Sequence, residues 1–182
     1  MANNDSPTDL DGRIAWIDED SAAPFPTKET SSGARVHGPG FHLAPLSVSR
    51  DFWDDRSAEV IETAEEGIEA DRDEVAAALT ERWGPPEVID LEPYLEADLA
   101  GAEVPDPVGH LCSGVDLWVW LIPSTGRWVG LSVVQDDREL PFVLYAAVGG
   151  EPFPPPPEIP VDGSGLRIET WSPPPPLPPS LM

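Results

Sequence analysis

The sequence predicts an α+β domain: two acidic helices, or one long bent helix, packed on a short antiparallel sheet with a three-stranded meander and flanked by Pro-rich tails. Three observations predict it. Residues 115–148 contain three runs rich in Val, Leu, Trp and Phe, residues 50–83 repeat apolar side chains at helical spacing, and Pro, Gly and Ser crowd the stretches on either side. Hydrophobic residues make up 40% of the 182, enough for one core if concentrated, and they are concentrated between 51 and 149.

Residues 1–33 mix Asp, Ser, Thr, Gly and Pro around one short apolar stretch, Ile14-Ala15-Trp16-Ile17, and are expected to be a disordered tail. The domain itself is expected over 34–149, with its core in 51–149. Val36, Phe41, Leu43, Leu46 and Val48 suit an added edge strand, interrupted by a turn at His37-Gly38-Pro39-Gly40.

From Ser49 the period becomes helical. Trp53, Val60, Ile61, Ala64 and Ile68 recur at steps of three and four with acids on the other face. Ser47 or Ser49 can cap the start, and Asp51, Asp54 and Asp55 suit the positive end of the helix dipole. Gly67 weakens the middle, and Asp71-Arg72-Asp73-Glu74 can cap a second start, yet the apolar stripe stays in phase through Val75, Ala78, Leu79 and Trp83. One helix and two are therefore both compatible with the pattern. Gly84-Pro85-Pro86 ends it. A short strand over 87–91, a brief helix over 92–99 with Pro93 in its first turn, and a connector with a helical turn at Val108, Leu111 and Cys112 follow.

The meander comprises Val115 to Ile122, Arg127 to Gln135 and Leu140 to Val148. If Asp136 to Glu139 form the second loop, Gln135 pairs with Leu140, Val129, Leu131 and Val133 lie opposite Ala146, Leu144 and Phe142 on one face, and the helices cover that face. The first loop decides the rest. Three residues, Ser124-Thr125-Gly126, turn Leu117, Val119 and Leu121 to the core and leave Trp118, Trp120, Trp128 and Tyr145 together on the other side. Four residues put Trp118 and Trp120 in the core instead. The shared aromatic face of Trp118, Trp120, Trp128 and Tyr145 is the candidate binding surface, because aromatic side chains are over-represented among interface hot spots. Residues 34–48 or 158–171 can equally cover those rings within the chain. Residues 150–182 form the Pro-rich, largely extended tail, with polyproline runs at 154–157 and 173–176 and a small hairpin between them.

Composition narrows the function classes. The formal charge is −24, and residues 51–104 hold 18 acids against Arg56, Arg72 and Arg82. Such a surface repels phosphate, so direct nucleic-acid binding and anionic membranes are disfavoured, and a basic protein partner suits it. The residues after Met1 have neither a basic region nor an apolar stretch, and Cys112 is the lone cysteine, which together predict a cytoplasmic protein. One lysine beside nine arginines is the usage of GC-rich bacterial DNA.

Catalytic chemistry finds little support. His110, Cys112 and Asp116 lie close in sequence, but catalytic groups need spatial and not sequential proximity, so they read as a loop histidine and a buried thiol. The histidines and the cysteine lack the paired spacing of zinc ligands, the acids form no calcium loop, and no cofactor motif is present, so neither metal nor cofactor is expected. The architecture resembles the small acidic immunity and secretion-chaperone domains of bacteria over residues 50–150. That resemblance carries over no functional residue. The reading that results is a non-catalytic acidic protein-interaction module, of the immunity, adaptor or chaperone kind. The alternative is a small-molecule-binding domain or enzyme with a pocket between helices and sheet, rimmed by His110, Cys112 or Asp116.

Overall fold

The computed structural model describes residues 6–150 and 152–159. The hairpin and the second proline run expected beyond residue 159 lie outside the described residues. Among these, four helices and seven strands follow in the order α1 (Leu10–Ala22), β1 (Thr30–Ser32), β2 (Arg35–Gly38), β3 (Phe41–Val48), α2 (Ala58–Trp83), β4 (Glu87–Asp90), α3 (Glu92–Leu99), α4 (Val108–Leu111), β5 (Asp116–Leu121), β6 (Trp128–Val134) and β7 (Val143–Gly149). The fold is α+β, and all strands pair antiparallel in one sheet of order β1-β2-β3-β7-β6-β5-β4. The expected short sheet is thus extended on both sides of the meander. β3 pairs with the free side of β7, and β4 with that of β5.

β3 is interior, not an edge strand, although it contains Pro45. A proline cannot donate to the ladder, and the register shifts between Pro45 and Ser47, a bulge that accommodates it. The turn at Gly38-Pro39-Gly40 forms as expected, with Gly40 at φ 82°.

α2 is one continuous helix across Gly67, so the two-helix reading of this stretch does not apply. It starts at Ala58, later than the repeat suggests. The preceding residues are held extended along the β7 approach: Ser49 and Phe142 exchange hydrogen bonds, and the Phe52 amide donates to the Glu139 carbonyl at 2.9 Å. Phe52 is buried and Trp53 points outward, 63% exposed. The helix stops at Gly84, whose φ of 83° other residues adopt at a cost.

Residues 10–22, expected to belong to a disordered tail, are helical and part of the core. Asp9 caps α1 by accepting from the Gly12 amide at 2.9 Å, and Ile17 is buried with Leu10 and Ile14 packed beside it. Arg13, also buried, donates from Nε to the Leu46 carbonyl at 3.1 Å and pairs with Asp71 of α2 at 3.2 Å. α1 is clamped to both sheet and helix. Tertiary contacts of this kind stabilise a short helix that propensity alone leaves marginal.

Both faces of the sheet are covered. On one, α1 and α2 pack Ile17, Ile68, Val75 and Leu79 against Trp120, Val129, Leu131 and Leu144. On the other, α3 and α4 bring Leu91, Tyr94, Val108 and Leu111 onto Leu117, Trp128 and Ala147. The start of the proline-rich segment joins this second layer. Phe153 lies 4.9 Å from the Trp128 ring, the Tyr94 hydroxyl donates to the Pro154 carbonyl at 2.7 Å, and Trp128 Nε1 donates to the Gly150 carbonyl at 3.0 Å. Residues 152–159 are therefore docked on the domain, through Phe153, Pro154 and Ile159. The Trp128 ring also lies on its cross-strand partner Gly149, where an added Cβ would fall 2.2 Å from ring atoms.

Candidate functional site

The expected aromatic face is divided between the two sides of the sheet. The hairpin register pairs Trp118 with Leu131 and Trp120 with Val129, so the loop has four residues, closed by the Gly126 amide donating to the Ile122 carbonyl at 2.9 Å. That turns Trp118 and Trp120 to the α2 side, while Trp128 and Tyr145 belong to the opposite layer. Trp120 is 1% exposed and its Nε1 donates to Thr80 at 3.3 Å. Trp128 is 2% exposed under Phe153. Tyr145 is half-buried, and burial raises its pKa. Two of the four line surface depressions, on opposite sides of the sheet: Trp128 borders one with Trp83, Leu121 and Phe153, and Trp118 lines a hollow with Asp73, Ala77 and Glu81, where the Arg72 guanidinium stacks over its ring at 4.3 Å.

The alternative catalytic group does not assemble. Cys112 is buried, its Sγ donates to the Gly109 carbonyl at 3.4 Å, and burial followed by the Asp98 charge pushes its pKa up, away from a thiolate nucleophile. His110 is exposed and paired with Asp106 at 3.5 Å, and Asp116 lies on β5. A hollow of about 360 Å³ does open between α2 and the sheet, lined by Glu65, Glu69, Arg72 and Asp116, but neither His110 nor Cys112 lines it.

Two other regions concentrate polar chemistry. The first is the outward side of α2. Glu59, Glu62, Glu66, Glu69 and Asp73 are all exposed and recur at steps of three and four, which stacks them in one ridge along the helix. Beside the first turns of this ridge a groove of about 540 Å³ opens between α2 and the end of β3. Val48, Val60, Ala64 and Ile68 supply its apolar lining, and Glu59, Asp71 and Arg50 its charged rim. Gly67 borders it, and the place its Cβ would take is open space, with nothing within 4 Å. Asp71 is held in place by Arg13 and the Ser47 hydroxyl.

The second is the junction of α1 with the β2–β3 hairpin. His37 and His42 are cross-strand partners whose Nδ1 atoms lie 2.8 Å apart. His42 Nε2 donates to the Ala23 carbonyl at 3.3 Å, which leaves His42 Nδ1 as acceptor and His37 Nδ1–H as donor. Burial pulls the His42 pKa down, against the Ala23 carbonyl and Asp20, which raise it. The buried Asp20 pairs with Arg35, which also meets Glu19 at 3.4 Å and stacks on Trp16. Arg127 stacks on Phe25 and donates to the carbonyls of Asp20, Ser21 and Ala23. The residue types predict none of this. Only the cross-strand positions of His37 and His42 about the Pro39-Gly40 turn were available as a signal.

No protein-family model, curated protein or solved structure matches the chain. No helix among the described residues is long and apolar enough to cross a membrane.

Proposed function

We propose that this chain is a non-catalytic protein-interaction module, of the immunity, adaptor or chaperone kind, whose α2 surface takes a partner segment bearing basic and apolar side chains. The observation that carries this reading is the exposed ridge of Glu59, Glu62, Glu66, Glu69 and Asp73, with an apolar groove beside it. Of these only Asp73 has an ion-pair partner among the described residues, Arg72, and such a row of carboxylates attracts a cationic partner and steers its approach, while desolvated apolar contacts supply most of the affinity. The groove and the Trp118 hollow offer such contacts on either side of the ridge. Nucleic acid is disfavoured by the same charge. A cytoplasmic setting fits the lone thiol, Cys112.

A peptide titration tests the chemistry. A helical peptide alternating Lys with Leu is expected to bind saturably, more tightly than an oligolysine of equal charge, and less tightly as salt rises through the range where the Debye length shortens from about 30 to about 10 Å. Equal affinity for the two peptides would reduce the surface to a non-specific polyanion and remove the proposal.

A further inference from the structure

We propose that Asp20, His37 and His42 form a binding site for a zinc-class divalent cation that ties α1 to the β2–β3 hairpin. The three residues come from three elements, α1, β2 and β3, and one donor atom from each lies within 4.8 Å of the others. Tetrahedral zinc, with bonds to nitrogen of about 2.0–2.1 Å, sets neighbouring donors about 3.4 Å apart. The Nδ1 atoms of His37 and His42, at 2.8 Å on neighbouring strands, are already near that spacing.

The surroundings are those a ligand set needs. A ligating imidazole donates its remaining N–H to a carbonyl or carboxylate, and His42 Nε2 does so to Ala23. A ligating carboxylate is itself held by a hydrogen bond, and Arg35 holds Asp20. Metal binding at both Nδ1 atoms requires the His37 proton to move from Nδ1 to Nε2. The ring stays neutral, and no proton need leave it. Arg35 and Arg127 oppose a cation, but Glu19 and Asp20 offset the first, and the second is held against Phe25 and three backbone carbonyls. Two imidazoles and a carboxylate, without sulfur, select zinc and its late first-row neighbours over calcium or magnesium. With three protein ligands the fourth position falls to water, on the side where His37 is half-exposed.

The test uses the full chain, stripped with chelator and titrated with zinc by calorimetry in salt sufficient to screen the acidic surface. One saturable site is expected. It should weaken by at least about 10–100-fold in His37→Gln and Asp20→Asn. It should be unchanged in His110→Gln, which alters the exposed group of Glu29, Asp106 and His110. Histidine ring resonances of the unaltered protein provide a readout that does not depend on a variant folding: zinc should shift His37 and His42 and leave His110 in place. Absence of a saturable site, a site that survives in folded His37→Gln, or shifts confined to His110 would overturn the assignment.

Discussion

The α1–hairpin junction and the outward side of α2 dispose of charge in opposite ways. At the junction the cations point inward: Arg13, Arg35 and Arg127 are wholly or largely covered, and each is held by carboxylates, backbone carbonyls or both. On α2 the carboxylates point outward, and along the ridge Arg72 engages only Asp73 while its guanidinium covers Trp118. A chain with nine arginines and one lysine thus commits several of its cations to fastening α1 and the sheet, and among the described residues Glu59, Glu62, Glu66 and Glu69 of α2 form no ion pair. Net charge alone does not reveal this. The same composition with arginines along α2 would present a mixed, self-satisfied surface, and the argument for a basic partner would disappear.

Substitutions on the two sides of α2 and at the junction can break or sharpen this contrast. The largest effect is expected on the inner side of the helix. Trp120→Ala removes a buried ring and its bond to Thr80 and should destabilise by about 3–5 kcal/mol in urea unfolding. Trp53→Ala, outside the core, should stay within about 0.5 kcal/mol. At the junction, Arg13→Met leaves the Leu46 carbonyl without its side-chain donor and Asp71 without its strongest cation, for an expected loss of about 1.5–3 kcal/mol by the same measurement. A neutral result would mean that the cations do not fasten the fold. Gly149→Ala, which sets a methyl group against Trp128, should cost about 1–3 kcal/mol and lower near-ultraviolet dichroism.

Cys112 gives a smaller, pH-dependent effect. Its folded pKa lies above its ordinary 9.0, so as pH rises through 9 the unfolded thiol ionises first, and stability falls. Iodoacetamide should accordingly alkylate the native protein far more slowly than the urea-unfolded one. Equal rates would place the thiol at the surface. The smallest effect on stability is expected from Glu62→Gln, Glu66→Gln and Glu69→Gln combined, within about 0.5 kcal/mol of the parent, because exposed like charges at helical spacing repel one another only weakly.

The sequence reveals the elements of the fold more fully than their arrangement. The second hairpin shows why. Val129, Leu131 and Leu144 share the core face as expected, although the observed register pairs Val129 with Val148 rather than with Ala146. A two-residue slip preserves the face of every side chain. The first hairpin differs from the three-residue reading by a single loop residue, and that separates Trp118 and Trp120 from Trp128 and Tyr145. α1 carries a local signal: Asp9 followed by Leu10, Ile14 and Ile17 is a cap before a helical stripe. Its acidic surroundings mask it, and Arg13, Arg35, Arg127 and the sheet hold the segment in place. Likewise the α2 ridge is readable from spacing once the helix is known to be unbroken. The histidine cluster is not, because Asp20 reaches it through tertiary packing alone.

The central claim is that the outward carboxylates of α2 serve recognition and not folding. The affinity of the Lys-Leu peptide for the Glu62→Gln, Glu66→Gln, Glu69→Gln protein, measured against the parent at the same low salt, tests it most directly. A drop of about tenfold or more, with the melting midpoint unchanged, is the predicted result; each tenfold corresponds to about 1.4 kcal/mol of binding free energy. Unchanged affinity in a folded variant would contradict the account.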